Sequence, residues 1–331
     1  MYRPEDRWVW DFWLVQEESL WHLFHLQAPR SLPPVERHWH ATVGHAVSSD
    51  LVEWTPRATA VVPGAAGEWD DLAIWTGSVI RHHSGRWLMA YTGMTRRGGH
   101  HVERIGLAWS DDLDSWEKDP SNPVLASDPR WYERPGTTTW QHGWRDPFLT
   151  RTHGDGYAML LSARVADAED PYRAGAVGLA TSPDGLRWTA RPPLPGTGGH
   201  FAQLEVPQLV EAGGRHHLIF STNSDGPWPR NDPSGSPRIG TAELIGDRPF
   251  GPYTEPPSFI DADATGAHYA GRVVPVGSQR YVYLAFSDGG NDAFRGGVCD
   301  PVEVHLDHES GRFVLGHRLA PVPDGEHVAD R

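Results

Sequence analysis

Cysteine is almost missing from this 331-residue chain. Its one copy, Cys299, can form no internal disulfide, which is consistent with a reducing compartment. Without a partner, Cys299 reads as a small buried residue rather than a reactive one. No run of 18 apolar residues occurs, so a membrane-spanning helix is not expected. The first residues, Met1-Tyr2-Arg3-Pro4-Glu5-Asp6-Arg7, lead straight into a strand-like segment and leave no room for a signal peptide, so a cytoplasmic location is expected. Basic charge is short as well: 29 Lys and Arg against 43 Asp and Glu give a net charge of -14. No Lys/Arg-dense stretch relieves it locally, which disfavours nucleic acid and anionic lipid as partners. No phosphate-cradling loop or nucleophilic serine motif is present. Gly196-Thr197-Gly198-Gly199 neither follows a parallel strand nor opens a helix, and no cofactor is expected.

Long helix-forming runs are also scarce, whereas turn formers and aromatics abound: 36 Gly, 29 Pro and 16 Trp. That balance favours a loop-rich all-β protein. The length does not by itself imply two domains, because all-β barrels and propellers spend this many residues on one, and a single domain over 1–331 is expected.

A long-period repeat carries the fold. Its first half is a strand, a tight turn and a second aromatic or aliphatic strand: Val9-Trp10-Asp11-Phe12-Trp13-Leu14-Val15, then Trp21-His22-Leu23-Phe24. The same shape recurs around Trp75-Thr76-Gly77-Ser78, Arg145-Asp146-Pro147, Leu204-Glu205-Val206-Pro207 and Arg272-Val273-Val274-Pro275, each with hairpin turn chemistry. Second strands begin near residues 21, 87, 157, 216 and 281, at intervals of 66, 70, 59 and 65. The second half repeats too. Gly44-His45-Ala46-Val47-Ser48, Gly106-Leu107-Ala108-Trp109-Ser110 and Gly178-Leu179-Ala180-Thr181-Ser182 each precede an Asp (50, 112, 184) that stands four residues before a Trp (54, 116, 188). These Trp are expected to pack between units.

Each unit is therefore a four-stranded antiparallel sheet, and five of them arranged radially make a five-bladed β-propeller. The period exceeds the ~40–45 residues of a compact blade, so the excess is assigned to loops at 28–38, 62–72, 127–144, 191–202 and 225–238. The fifth unit is less regular, ending in Val302–Leu306 and Arg312–Leu315.

First strands of a propeller line its central channel. Their equivalent positions are read here as Asp11, Asp146 and Glu205 in blades one, three and four, with Gly77-Ser78 and Gly271-Arg272 in blades two and five. Three acids aimed into one funnel repel one another unless some hold protons, and such split pKa values suit acid/base chemistry. An isolated acid at a strand start would more simply cap a turn or pair with Arg145 or Arg272; three in register favour catalysis. Glycoside hydrolysis needs such a set, one carboxylate ionised and one protonated across the scissile bond.

These segments resemble the glycoside hydrolase clan that contains family 32 (invertases, inulinases, fructosyltransferases) and family 68 (levansucrases), with family 43 a more distant propeller relative. Trp21 to Pro29 is similar to the family-32 segment Y-H-L-F-Y-Q-x-N-P, and Gly44 to Trp54 to its W-G-H-A-x-S-x-D-L-x-x-W. Trp75-Thr76-Gly77-Ser78 stands where that family has F-S-G-S. Arg145-Asp146-Pro147 is identical to R-D-P, and Glu205-Val206-Pro207 matches E-C-P at two of three positions. The resemblance implies a retaining β-fructofuranosidase or fructosyltransferase acting on sucrose or short fructosides. Asp11 would be the nucleophile, Glu205 the general acid/base and Asp146 the residue that holds sugar hydroxyls and stabilises the transition state. Gln27, Trp75, Ser78 and Arg145 would line the sugar site.

The chain departs from family 32 in three places. Trp10-Asp11-Phe12-Trp13 is closer to the V-W-D-x-W of levansucrases than to W-x-N-D-P-N-G, Val43 replaces a Trp before Gly44, and no C-terminal β-sandwich is expected. The competing readings are an inverting family-43-like arabinofuranosidase or xylosidase, and a non-catalytic sugar-binding propeller.

Sugar rings pack their C–H faces on aromatic rings, which makes Trp10, Trp13, Trp75, Trp140 and Trp144 candidate contacts. Arg145 either neutralises Asp146 or grips a sugar hydroxyl. The His pairs at 82–83, 100–101 and 216–217 match no metal-ligand spacing, so no metal is expected.

Overall fold

A computed structural model of the chain describes residues 1–136, 143–152, 154–222, 239–263, 266–289 and 294–316. Among these residues twenty strands form five four-stranded antiparallel sheets, each sheet keeping its strands in sequence order. Blade one holds β1 (Arg7–Glu17), β2 (Leu20–Pro29), β3 (Thr42–Ser48) and β4 (Thr55–Pro56). Blade two holds β5 (Ala73–Arg81), β6 (Trp87–Arg97), β7 (His100–Ser110) and β8 (Glu117–Lys118). Blade three is β9 (Trp144–Arg151), β10 (Tyr157–Arg164), β11 (Gly175–Ser182) and β12 (Thr189–Arg191). Blade four is β13 (Glu205–Ala212), β14 (Arg215–Thr222), β15 (Ile239–Gly246) and β16 (Ser258–Asp263). Blade five is β17 (His268–Gly277), β18 (Arg280–Ser287), β19 (Val302–Leu306) and β20 (Phe313–Leu315). First strands touch in cyclic order, β1 to β5 to β9 to β13 to β17 and back to β1, which closes the ring of a five-bladed propeller.

The apolar core lies between blades rather than within one. Leu88, Leu107, Trp144, Tyr157 and Leu161 fill the space between blades two and three. Val210, Ile219, Val273 and Tyr283 do the same between four and five, and Val9, Phe12, Val274 and Leu284 between five and one. Each of these large side chains contributes about 1.5–3 kcal/mol on burial. The last interface is locked by main chain: Tyr2 and Val298 exchange two hydrogen bonds of 2.9 Å, so the N-terminal segment joins blade five. Cys299 beside it is 5% exposed.

The repeated second half has one local solution. Ser48 Oγ accepts the Leu51 N–H at 2.9 Å, Asp50 Oδ1 accepts the Val52 and Glu53 N–H groups, and Trp54 Nε1 donates to Leu51 O. Ser110-Asp112-Trp116 and Ser182-Asp184-Trp188 rebuild this turn. As expected, the Trp then packs outward on a neighbour: the Trp116 ring meets Phe24 of blade one edge-on at 5.5 Å.

Tight turns such as Glu18-Ser19 join first to second strands at one end of the ring. Longer connections open at the other end, where first strands begin, and among them is a 3-10 turn, Pro34–His40, between β2 and β3. The extra length of each unit thus surrounds one mouth of the channel.

Candidate active site

Every first strand carries an extra residue at the same depth. Trp10 pairs with Leu26 and Phe12 with His25, leaving Asp11 bulged. Thr76 is bulged in the same way between Trp75 and Gly77. In blades three to five the extra residue falls between Arg145 and Phe148, Glu205 and Gln208, and Tyr269 and Arg272. A bulge re-aims side chains, and these five arrange the channel wall in two rows. Trp10, Trp75, Arg145, Glu205 and Tyr269 form one; Asp11, Thr76, Asp146, Val206 and Ala270 form the next. Asp146, Val206 and Ala270 hold φ of 58°, 46° and 52°, a left-handed conformation that is costly for a β-branched residue such as Val206.

This corrects the register expected from sequence. Glu205 is equivalent to Arg145, not to Asp146, because one bulged residue per blade breaks simple alternation. The three acids nonetheless share one cavity of about 250 Å³, lined also by Trp10, Trp75, Thr76, Arg145, Tyr269, Arg37 and His38.

Each acid has assigned partners. Thr76 Oγ1 donates to Asp11 Oδ2 at 3.0 Å. The Val206 N–H donates to Asp146 Oδ2 at 3.0 Å. Glu205 accepts from Arg145 Nη2 and from the Tyr269 hydroxyl, the latter at 2.5 Å. Arg145, 4% exposed, also donates to Gln203 Oε1 at 2.8 Å and pairs with Glu103 at 3.3 Å. Glu103 in turn accepts the Trp144 N–H at 2.7 Å.

Burial, reinforced by Asp146 and Glu205, pushes the Asp11 carboxyl up to about 7, against the opposing pull of Thr76 and Arg37. Burial also raises Asp146, to about 6; Arg145 pulls it down while Glu205 adds to the rise. Burial works against the Arg145 charge, but Glu103, Glu205 and Asp146 around it more than offset that and push its pKa well above the usual value. Burial and then Glu205 keep the Tyr269 hydroxyl protonated well past its ordinary range. Burial thus works against ionising Asp11 and Asp146 together, beside a guanidinium that stays charged, a setting suited to acid/base chemistry.

Of the sequence candidates, Asp11, Asp146, Glu205, Trp10, Trp75 and Arg145 meet in this cavity. Trp75 is pinned there by its Nε1 donating to His38 O at 2.8 Å. Trp13 and Ser78 do not reach it. They lie further along the same first strands and line a second cavity of about 330 Å³ toward the other mouth, with Ser78 Oγ accepting the Leu149 N–H at 2.8 Å. Gln27 is also displaced. It sits on a second strand, 6% exposed, and donates to Thr59 Oγ1 at 3.1 Å instead of facing the channel. Trp144 is fully buried against Tyr132, with ring centroids 4.6 Å apart, and Trp140 lies outside the described residues.

Among the described residues no cluster of three or more His, Cys, Asp or Glu could hold a metal ion. The His82 ring stacks on Tyr157 at 5.4 Å, and His217 Nδ1 lies 2.7 Å from Glu243.

Sequence reasoning passed over Thr76, Arg37, His38 and Tyr269. Thr76 and Tyr269 become visible only once the bulge register aligns the five strands. Arg37 and His38 come from the 3-10 turn, a stretch legible only as a loop. Arg37 is held there by Nη1 donating to Pro34 O at 2.8 Å and by its guanidinium lying 3.7 Å over the Phe294 ring.

The family model described as glycosyl hydrolases family 32 N-terminal domain matches residues 2–244. Among curated relatives, an acid beta-fructofuranosidase of Vicia faba is 31% identical over 172 residues, 48% of this chain and 25% of the relative. A vacuolar acid beta-fructofuranosidase 4 of Arabidopsis thaliana is 30% identical over 176 residues, 48% of this chain and 24% of the relative. The matched segment thus spans about a quarter of these relatives' length. Among solved structures, an inulosucrase from Halalkalicoccus jeotgali bound to kestose superposes with a TM-score of 0.75 at 20% identity, covering 98% of this chain and 94% of that one. Bacillus subtilis levansucrase superposes with a TM-score of 0.71 at 14% identity, covering 94% and 86%. At these identities the structural likeness carries the propeller fold.

Proposed function

Because the chain belongs to glycoside hydrolase family 32, we propose that it cleaves the fructofuranosyl bond of sucrose or a short fructoside, with retention, through a covalent intermediate on Asp11. The observation that carries the proposal is the convergence of Asp11, Asp146 and Glu205 on one cavity, with both Glu205 oxygens already engaged by Arg145 and Tyr269. The names of relatives support the substrate class: beta-fructofuranosidases in sequence, inulosucrase and levansucrase in fold.

In this reading the fructosyl ring rests at the level of Asp11 and Asp146, and Trp10 and Trp75 offer faces for its C–H bonds. Glu205 gives its proton to the leaving-group oxygen as the glycosidic bond breaks, and the ionised Asp11 carboxylate bonds to the anomeric carbon. Asp146 accepts hydrogen bonds from ring hydroxyls and balances the positive charge of the oxocarbenium-like transition state. Water, or a hydroxyl of a second sugar, then loses its proton to Glu205 and attacks the same carbon, freeing Asp11. The first acceptor gives hydrolysis and the second gives transfer. Arg37 and His38, beside the exposed Val35 and Glu36 of the 3-10 turn, stand at the rim and face whatever extends beyond the fructosyl ring.

The test is product analysis of the wild type and Glu205→Gln on sucrose, short fructans and aryl arabinofuranosides, with the anomer of the first product recorded. Fructose release or transfer with retention, lost by about 10²–10⁴-fold in the variant, supports the proposal. Arabinose release with inversion, or binding without turnover by the wild type, refutes it.

A further inference from the structure

We propose that Arg272, in blade five, is a positioning residue that clamps the peptide segments carrying the nucleophile and the acid/base. This rests on the function proposed above. Arg272 follows the bulge of β17, is 5% exposed, and turns its donors on main chain across the channel. Its Nε donates to Phe12 O at 3.1 Å, and its Nη1 donates to Val206 O at 2.8 Å and Pro207 O at 3.2 Å. Phe12 directly follows Asp11. Val206 directly follows Glu205, and the Val206 N–H is itself the donor to Asp146. A single planar fork therefore ties the backbone behind Asp11 in blade one to the backbone behind Glu205 in blade four, and through Val206 to Asp146 in blade three.

The identity of the residue matters. A guanidinium presents its donors in a fixed plane and stays charged, whereas an ammonium is a point donor on a flexible stem. Val206 at φ 46° is a strained conformation that persists only when its surroundings over-determine it, and the Arg272 fork binds the carbonyl of that residue. Retention needs the two reacting carboxyls about 5–5.5 Å apart, and a displacement of about 1 Å costs about 10²-fold in rate.

Charge reinforces the geometry. Among the described residues Arg272 makes no ion pair; burial pulls its guanidinium down to about 10, against Asp146 on β9 and Asp11 on β1, which favour the charge, so the cation sits behind these acids. The same cavity wall carries Glu205 on β13, Arg145 on β9 with Glu103 behind it, Tyr269 on β17, Arg37 on the 3-10 turn and Asp288 after β18. Arg272 itself lines the second cavity and not the first, which makes it part of the partition between the two.

The experiment compares Arg272→Lys and Arg272→Gln with the wild type on sucrose between about pH 5 and 9, and follows the Arg272 Nε–H resonance of ¹⁵N-arginine-labelled wild type over the same range. Both variants lose kcat by about 10²-fold with KM within about threefold. The acidic limb of the rate profile moves up in the neutral Gln variant and stays in place in the Lys variant. The wild-type resonance shifts with the titration of Asp11 and Asp146. A loss confined to KM, unchanged kcat in both variants, or a resonance that does not titrate overturns the proposal; a purely structural role would lower stability without moving the limb. Should neither variant fold, the wild-type titration decides alone. Should the wild type turn over no fructoside, the proposed function fails, and the resonance still reports whether Arg272 is coupled to the acids.

Discussion

Replacing Asp11 by Asn should stabilise the protein while abolishing its turnover, and the gain should depend on pH in a defined way. The Asp11 carboxyl is held at about 7 in the fold against 3.8 in an exposed chain. At about 1.36 kcal/mol per pH unit, ionising it inside the native state costs up to about 4 kcal/mol, and about half of that if water reaches its open edge. The sign follows from the direction of the shift. The folded pKa is the higher one, so the stability contribution is whole below about pH 4, is lost as pH climbs toward 7, and is constant above that. Asn keeps an oxygen for the Thr76 hydroxyl and carries no charge, so nothing comparable is lost in the variant. Denaturant unfolding of both proteins at about pH 4, 6 and 8 measures the difference. The two curves should nearly coincide at the acidic end and separate by about 2–4 kcal/mol at the alkaline end. Parallel pH dependences for the two proteins, or a variant less stable at pH 8 than at pH 4 relative to wild type, would refute the claim that the fold bears the cost of this charge.

Other outcomes can be checked alongside. Tyr269→Phe removes the 2.5 Å hydrogen bond to Glu205 without altering shape, and should lower kcat by about 10–100-fold, given about 1.5–3 kcal/mol for a hydrogen bond to a charged group. Its melting temperature should stay close to wild type, and a loss expressed only in KM would count against the assigned contact. Arg37→Gln takes away a cation that lowers Asp11, so the acidic limb of kcat/KM should move to higher pH; an unmoved or lowered limb contradicts it. Gly106→Ala would drive a Cβ to within 2.5 Å of the Trp69 ring, whereas at Gly178 the nearest atoms stand at 3.1 Å. Thermal unfolding should therefore show the first substitution costing about 1–3 kcal/mol and the second clearly less.

The blades were legible in the sequence because two independent signals repeat in phase: hairpins with turn residues, and the Ser-x-Asp turn that ends in a Trp. The second is a closed set of hydrogen bonds within seven residues, so its chemistry survives in the letters. Arg145-Asp146-Pro147 and Glu205-Val206-Pro207 were equally legible as motifs. Register was not. A bulge adds one residue without changing composition, so nothing local distinguishes Asp146 from Arg145 as the inward-facing position, and Glu205 was set in the wrong row. Trp13, Ser78 and Gln27 were misplaced for related reasons. Depth along a strand and the choice between first and second strand are decided by packing against other blades, hundreds of residues away for the Arg272 contact with Phe12. Ring closure through Tyr2 and Val298 is a pairing of the same long-range kind.

The corrected register has a chemical consequence. First strands run inward from the mouth, so the row of Arg145, Glu205 and Tyr269 lies nearer that mouth than the row of Asp11 and Asp146. Exposure varies within each row: the Glu205 side chain is 25% exposed and that of Asp146 5%, whereas Arg145 is buried and Asp11 only half-buried. On the proposed mechanism, Glu205 in the outer row would meet the bond to the departing group on the side of the mouth. Asp11 in the inner row would meet the ring from beneath, at a carboxyl whose ionisation burial makes costly. Had the three acids occupied one row, Glu205 would lose Arg145 and Tyr269 as partners and take the strained φ that Val206 now holds. The bulge in each blade thus separates the two carboxylates by depth and by partners, Glu205 beside Arg145 and Tyr269 in the outer row and Asp11 beside Thr76 in the inner one, and the proposed mechanism assigns them different roles on that ground.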